Sequence, residues 1–360
     1  MREYTASLKR EAERLLSEGR VKTVIAFGPG IDPLAPIPAF AEDKDEASDL
    51  LVNAFSAPGL AKYVLDEVGG VEKPEHSVAV LARGCDSLGI ARLIADKRVQ
   101  RQSVVILGVH CDGVIDRGKL LALNPAFSRT KNIKSVAIGE DEVFVEAELA
   151  DRSAVSLRGR PEDLLLDKCL KCLERDPVVF DIMLEPEAGT MLGRETGPTP
   201  VGDRGGVDQG EKEKSLRARR SLVAETEALS SESRYEFWAR QFERCIRCYA
   251  CRNVCPACSC RKCAFDVPDP EWVSKCTWLS EQFMFHFLRA FHVAGRCVGC
   301  GECERACPMG LPLSLLNDKL MKDVEEMFGI EDPHVPKESE PLGFYSPDDP
   351  EPWAKEVSEG

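Results

Sequence analysis

Short apolar runs alternate with amphipathic segments through the first half of the chain. The apolar runs VKTVIAFG (21–28), HSVAVLARG (76–84) and QSVVILGVHC (102–111) are rich in β-branched residues and end in Gly or Cys, as buried strands commonly do. Helix-like segments at 48–69 and 87–100 lie between them. Alternation of strand and helix predicts an α/β domain with a mostly parallel sheet.

Two further patterns flank this alternation. The segment SVAIGEDEVFVEAEL (135–149) indicates an added β ribbon, and the first twenty residues, MREYTASLKREAERLLSEGR, have the spacing of an amphipathic helix. This first segment has no continuous apolar core, so it is not typical of a secretory signal.

The composition changes after residue 185 and predicts the domain boundaries. Seven glycines and no periodic apolar face between 187 and 210 indicate a flexible linker,. We expect an α/β domain at 1–185, a linker and charged helix at 186–232, and a helical, ferredoxin-like iron–sulfur domain at 233–330 with a helix at 317–329. An acidic tail at 331–360, rich in Pro, Glu and Asp, is expected to order only against a partner,.

Charge and cysteine content narrow the function. The 360 residues carry a formal net charge of −14, which argues against a nucleic-acid partner. No apolar run approaches the ~20 residues that span a bilayer, so we expect a cytoplasmic protein without direct membrane insertion. Sixteen cysteines in that reducing compartment predict metal sites rather than a disulfide framework.

Two cysteine motifs share the spacing of bacterial two-cluster ferredoxins. Each motif has the form C-x2-C-x2-C-x3-C-P, in which three thiolates bind one cube and the fourth binds the other. One predicted [4Fe–4S] cluster is therefore ligated by Cys245, Cys248, Cys251 and Cys307, and the other by Cys297, Cys300, Cys303 and Cys255. Zinc is the alternative, because CxxC pairs also form tetrahedral sites.

The insert between the two motifs holds four more thiols, at Cys258, Cys260, Cys263 and Cys276. They predict a further metal site, either another cluster or zinc, with partly free thiols as the alternative. The aromatic run at 278–295 predicts a buried helix, in which His286 and His292 are core or surface residues rather than ligands.

Four cysteines in the first half could form another cluster site. Cys85 and Cys111 each end a predicted strand, and the carboxyl ends of parallel strands line the crevice where ligands bind. Cys169 and Cys172 add a CxxC element. Alone, Cys85 or Cys111 would more often be an ordinary buried cysteine, but together the four thiols match the requirement of one cubane.

These segments also resemble a known family. ARGCDSLGIARLIADKRV, VVILGVHC and KCLKCLERDPVVFDIML resemble the β-subunit family of coenzyme F420-dependent hydrogenases and formate dehydrogenases, over roughly residues 20–185. The resemblance implies FAD that exchanges hydride with a deazaflavin or nicotinamide, and partner subunits that receive single electrons. The ferredoxin motifs follow this region here, whereas family members usually carry them ahead of it.

Three functions remain open on the sequence. The first is an electron-transfer subunit of an anaerobic oxidoreductase complex of the hydrogenase, formate dehydrogenase or heterodisulfide reductase kind, in which a flavin joins two-electron to one-electron chemistry. The second is a flavin-free, ferredoxin-like conduit, and the third is a zinc scaffold. GPGID at 28–32 is the one weak loop motif for a phosphate group, and GxGxxG is absent,. Five arginines flank the ferredoxin motifs, at Arg244, Arg247, Arg252, Arg296 and Arg305.

Overall fold

The computed structural model describes residues 3–68, 77–187 and 209–329. The strands are β1 Thr23–Gly28, β2 Ile37–Ala41, β3 Val78–Ala82, β4 Val104–Gly108, β5 Thr130–Ile138, β6 Val143–Leu149, β7 Ala154–Gly159 and β8 Ile182–Met183. The helices are α1 Thr5–Ser17, α2 Lys44–Ser48, α3 Ala61–Glu67, α4 Gly84–Ala95, α5 Arg117–Leu123, α6 Pro161–Leu164, α7 Asp167–Leu170, α8 Gln209–Glu227, α9 Ser231–Phe242, α10 Ala250–Asn253, α11 Leu279–His292, α12 Glu302–Arg305 and α13 Leu313–Phe328. Most of the predicted linker, at 188–208, and the predicted acidic tail lie outside the described residues.

The main sheet confirms the predicted α/β fold. Its five strands run in the order β2-β1-β3-β4-β8. The pairs β1–β3, β3–β4 and β4–β8 are parallel, and β2 pairs antiparallel with β1 at the edge. All residues of β1 and β3 are buried, as expected for parallel strands that are covered on both faces.

The predicted β ribbon is a separate three-stranded antiparallel sheet of order β5-β6-β7. The central strand β6 alternates buried and half-buried residues, so one face packs on a small core that includes Phe127 and Leu164. The ribbon begins at Thr130 and continues to Gly159, and thus extends beyond the predicted 135–149 at both ends.

The predicted helix at 48–69 is wrong over most of its length. Only Ala61–Glu67 is helical, and α2 ends at Ser48. Between them, the side chain of Asn53 accepts a 2.8 Å hydrogen bond from the Phe55 backbone N–H, a turn that competes with helix. Pro58 and Gly59 follow, and both disfavour a helix interior. The predicted helix at 87–100 begins earlier, at Gly84, and ends at Ala95.

The C-terminal region is helical, as predicted. Helix α11 packs against α9 and α13, and α13 packs against α8. His286 on α11 is buried and stacks on Phe242 with ring centroids 4.4 Å apart, which places it in the core. Burial and the neighbouring Arg289 and Arg247 charges lower the pKa of His286 to about 3. In the described parts of the chain, no helix is long and apolar enough to cross a membrane.

A buried ion pair joins the two regions. The Lys168 ammonium contacts the Glu302 carboxylate, and the two side chains are 7% and 5% exposed. Glu302 also accepts a 2.9 Å hydrogen bond from the Gly59 backbone N–H and pairs with Arg305 at 2.8 Å. Burial opposes ionisation of Glu302, but the charges of Lys168 and Arg305 lower its pKa to about 2.

We expect the substitution Lys168→Met to lower the free energy of unfolding by ~3–5 kcal/mol, because it leaves a buried carboxylate without its main partner. The double variant Lys168→Met/Glu302→Gln should recover most of that loss. The measurement is the urea midpoint of anaerobic chains matched for iron content.

Arg217→Met is the control, because Arg217 pairs at 2.5 Å with Glu213 on α8 and the two side chains are 76% and 62% exposed. Exposed pairs of this kind contribute about 0–1 kcal/mol. Equal effects of Lys168→Met and Arg217→Met would show that the junction does not depend on the buried pair.

Candidate iron–sulfur sites

The four cysteines of the first half line a single cavity. Cys85 lies in the first turn of α4 just after β3, Cys111 follows β4, and Cys169 and Cys172 come from α7 and the loop after it. These four thiols, named here the N-terminal tetrad, therefore meet at the carboxyl ends of adjacent parallel strands, where α/β sheets bind ligands.

The thiols of the tetrad act on one another electrostatically. Burial raises the pKa of Cys85 and of Cys111 to about 11; nearby Cys111 raises that of Cys85 further, and nearby Cys169 raises that of Cys111. Burial also raises the pKa of Cys172, and the charges of Cys85, Cys169 and Cys111 add to that effect. Because ligation requires the thiolate, binding of a cluster at these buried thiols would release their protons.

Two local features allow the tetrad to form. A Cβ at Gly84 would lie 2.0 Å from the Glu174 carbonyl oxygen, so only glycine lets the loop after Cys172 approach the end of β3. Arg83 precedes it, pairs with Asp86 at 2.7 Å and lines the cavity together with Lys168. These two buried cations would balance the charge of a thiolate-ligated cluster.

The two ferredoxin motifs share one backbone conformation. Arg247 and Tyr249 flank Cys248 with φ of 55° and 60°, and Gly299 and Gly301 flank Cys300 with φ of 65° and 69°. A four-residue helix follows in each motif, α10 in one and α12 in the other. The left-handed residues turn the chain on both sides of the second cysteine of each motif.

The predicted crossover of ligands between the motifs stays a prediction. Burial raises the pKa of Cys245, and nearby Cys307 and Cys248 raise it further. Burial likewise raises the pKa of Cys300, and nearby Cys255 and Cys297 add to it. We keep the predicted assignment and name Cys245, Cys248, Cys251 and Cys307 the first ferredoxin set, and Cys297, Cys300, Cys303 and Cys255 the second.

The sets differ in their exposure and neighbours. Cys248 is the one exposed thiol among the twelve of the tetrad and the two ferredoxin sets. Cys300 of the second set lines the same cavity as the N-terminal tetrad. Cys303 and Cys251 pack in one apolar cluster with Phe285. The three sets therefore follow one another from the α/β region to the surface at Cys248.

Polar groups also point at the ferredoxin sulfurs. The backbone N–H groups of Arg247 and Leu311 donate to the Sγ atoms of Cys245 and Cys307 at 3.4 and 3.5 Å, and the Asn317 amide donates to Cys303 at 3.6 Å. Hydrogen bonds to sulfur are one of the means by which proteins set cluster potential.

Arg289 is a buried cation near the ferredoxin thiols that sequence reasoning missed. It is 2% exposed, and its guanidinium donates a 3.1 Å hydrogen bond to the Cys251 carbonyl. Burial opposes its charge, but thiolates of both ferredoxin sets, beginning with Cys303 and Cys255, raise its pKa. The aromatic pattern at 278–295 gave no sign that a buried cation would lie beside the thiols.

Each of the five arginines that flank the ferredoxin motifs has a polar partner within the chain. Arg252 pairs with Asp266 at 2.9 Å and Arg296 pairs with Asp96. Arg247 is buried and donates to the carbonyls of Ser274, Cys276 and Glu281. The remaining two are Arg244, which bonds Gln241, and Arg305, which pairs with Glu302.

The four thiols of the insert are not all placed together. Cys258, Cys260 and Cys263 line a second cavity of ≈ 320 Å³, and Cys276 is exposed and is not part of that lining. Among the described residues, no three His, Cys, Asp or Glu side chains are grouped around the position of a single metal ion. The metal site at these four thiols remains a prediction.

Comparisons with known proteins relate the chain to an iron–sulfur domain family and to F420-dependent enzymes. Residues 241–311, which include every C-terminal cysteine, match a family described as the 4Fe-4S dicluster domain. The F420-dependent formate dehydrogenase subunit beta of Methanocaldococcus jannaschii is 25% identical over 349 residues, 88% of each chain. The F420-dependent formate dehydrogenase 1 subunit beta of Methanococcus maripaludis is 24% identical over 362 residues, 92% of each chain.

Among solved structures, a chain of the F420-reducing [NiFe] hydrogenase complex from Methanosarcina barkeri is similar with a TM-score of 0.36 and 15% identity, over 47% of this chain and 59% of that one.

The sequence matches confirm the resemblance expected from the cysteine-bearing segments. The chain carries a C-terminal 4Fe-4S dicluster domain and is similar, over about nine-tenths of its length, to beta subunits of F420-dependent formate dehydrogenases.

Proposed function

We propose that this chain is the iron–sulfur beta subunit of an F420-dependent formate dehydrogenase complex, and that it carries electrons between a hydride carrier and partner subunits. The observation that carries the proposal is the cavity shared by the N-terminal tetrad and Cys300 of the second ferredoxin set. Adjacent thiol sets are what a relay of one-electron centres requires.

The tetrad and both ferredoxin sets suit [4Fe–4S] clusters, which supply one-electron transfer when bound. The chain's own residues enclose the tetrad and the neighbouring second ferredoxin set. Leu88, Val114 and Val298 line the tetrad cavity and exclude water from it, while Lys168 and Arg83 place positive charge beside the thiolates. Exposed Cys248 marks the end at which a partner subunit would receive electrons.

FAD is part of the proposal because of the likeness to F420-dependent beta subunits. F420 gives up a hydride, which carries two electrons, and a flavin can divide that pair into single electrons. The alternative is a flavin-free conduit, which would accept single electrons at the tetrad directly.

The test is anaerobic quantification of iron, sulfide, zinc and flavin on the purified chain. Three four-thiolate sets predict about 12 irons per chain, with one FAD and a decrease in flavin absorbance when reduced F420 is added. The variants Cys111→Ser and Cys172→Ser should each lose about 4 irons, and the eight of the dicluster domain should remain.

The outcomes separate the candidate functions. An iron content that is equal in the unaltered chain and in both variants would remove the tetrad cluster from the proposal. The expected iron content per chain without bound flavin, and no response to reduced F420, would favour the flavin-free conduit. A colourless chain with stoichiometric zinc would be a zinc scaffold.

We expect Arg289→Met to lower the reduction potentials of both ferredoxin-type clusters by ~50–100 mV, since a buried positive charge near both sets favours the added electron. The measurement is a potentiometric titration followed by EPR. Arg289→Lys keeps the charge and should restore most of the shift.

Arg240→Met is the matched control for this substitution, because Arg240 lies on the exposed side of α9. It should leave both potentials within error. A shift confined to one cluster, or an equal shift in the Arg240 variant, would contradict a shared electrostatic role for Arg289.

A further inference from the structure

The second cavity lies where the α/β region meets the dicluster domain. Lys62 and Asp66 of α3 line this cavity from one side, and the loop that follows Cys255 lines it from the other. Cys258, Cys260 and Cys263 all belong to that loop. None of these three thiols is assigned to the tetrad or to either ferredoxin set, and the Cys258 side chain is hydrogen-bonded to that of Cys255 in the second set.

The loop is held in place at both ends. The Lys62 ammonium donates a 2.8 Å hydrogen bond to the Cys258 carbonyl, and the Cys258 backbone N–H donates to the Cys255 carbonyl at 3.1 Å. At the other end, the Asp266 backbone N–H donates to the Cys263 carbonyl at 2.9 Å. The thiols therefore face the cavity from a loop with fixed ends.

Each thiol has a cationic neighbour. The Arg252 guanidinium lies 3.5 Å from the Cys263 sulfur. Burial lowers the pKa of Arg296, but Asp96 and the charges of Cys260 and Cys258 raise it above its ordinary value. Arg289 lines the same cavity, and its buried Nε has no hydrogen-bond partner among the described residues. Such an environment offsets the negative charge of several thiolates.

The size of the cavity favours a polynuclear cluster over a single ion. Four ligands of one zinc converge on a point, whereas the thiolates of a cubane each bind a different iron and stand further apart. Cys258, Cys260 and Cys263 border a cavity of ≈ 320 Å³, a larger space than one ion occupies.

We propose that Cys258, Cys260 and Cys263 hold an additional iron–sulfur cluster through three thiolates, with one iron that no cysteine binds. This inference rests on the proposed iron–sulfur function of the dicluster domain, and it excludes Cys276 from the ligand set. His292 and Asp66 also line the cavity and are available to the fourth iron. The cluster would neighbour the second ferredoxin set through the short link from Cys255 to Cys258, and exposed Cys260 would open it to solvent.

The test uses the full chain, purified anaerobically, and the variants Cys260→Ser and Cys263→Ser. Each should lose about 4 irons relative to the unaltered chain, which would itself contain about 16 rather than 12. Cys276→Ser is the matched control, since Cys276 is an exposed thiol of the same insert, and its iron content should not change. Cys258→Ser is avoided because it adjoins a ligand of the second ferredoxin set.

A second measurement needs no variant. Mild oxidation removes the iron of a cubane that lacks a cysteine ligand, so the unaltered chain should develop the EPR signal of a [3Fe–4S] cluster. Added ferrous iron with a reductant should reverse it, and the Cys260→Ser and Cys263→Ser chains should not show it.

Three results would overturn the proposal: unchanged iron in both variants with no [3Fe–4S] signal, an equal loss in Cys276→Ser, or bound zinc that disappears in the same variants. Failure of the proposed electron-transfer function is distinguishable, because it would appear as unchanged iron in Cys111→Ser and Cys172→Ser while these insert variants still lose theirs.

Discussion

The arrangement of the thiol sets depends on the buried contact between Lys168 and Glu302. Lys168 immediately precedes Cys169 of the N-terminal tetrad, and Glu302 lies between Cys300 and Cys303 of the second ferredoxin set. Neither charge can be hydrated at 7% and 5% exposure, so each needs the other to remain buried. One buried ion pair therefore joins the segments that carry thiols of two different sets, and Cys300 lines the tetrad cavity beside it.

Positive charge is also concentrated beside the buried thiols. The chain is acidic overall, with a formal charge of −14, yet cations lie beside the buried thiols. Arg83 and Lys168 border the tetrad, and Arg289 acts on both ferredoxin sets. Thiolate-ligated clusters are themselves negative, so buried positive charge beside these thiols would favour their binding.

The two ferredoxin motifs have the same ligand spacing and backbone but different surroundings. The first set reaches the surface at Cys248, whereas the second is enclosed between the first set and the α/β region. Solvent exposure and hydrogen bonding to sulfur are principal determinants of cluster potential. The fold thus gives two similar cysteine motifs different electrostatic environments, and the difference comes from where the α/β region packs.

Much of the fold and of the candidate sites could be predicted from local pattern. Apolar runs gave β1, β3 and β4, and the aromatic run gave α11, because burial on one or both faces imposes its period on the sequence. Cysteine spacing predicted the ferredoxin ligand sets, since neighbouring ligands in one loop are set by short-range backbone geometry. The edge strand β2, which contains Pro38, and the short β8 have too weak a pattern for such reasoning. The turn at Asn53 and the proline at Pro58 also restrict the predicted helix at 48–69 to its last part, Ala61–Glu67.

The sequence by itself determined which thiols belong to each ferredoxin motif and that an α/β region precedes them. Only the tertiary structure decided that Cys300 borders the tetrad, that Arg289 lies near both ferredoxin sets, and that Cys276 stands apart from the other three insert thiols. The physical reason is that these relations join residues distant in the chain. They arise from packing between regions and from the pairing of buried charges, neither of which leaves a periodic pattern in the sequence.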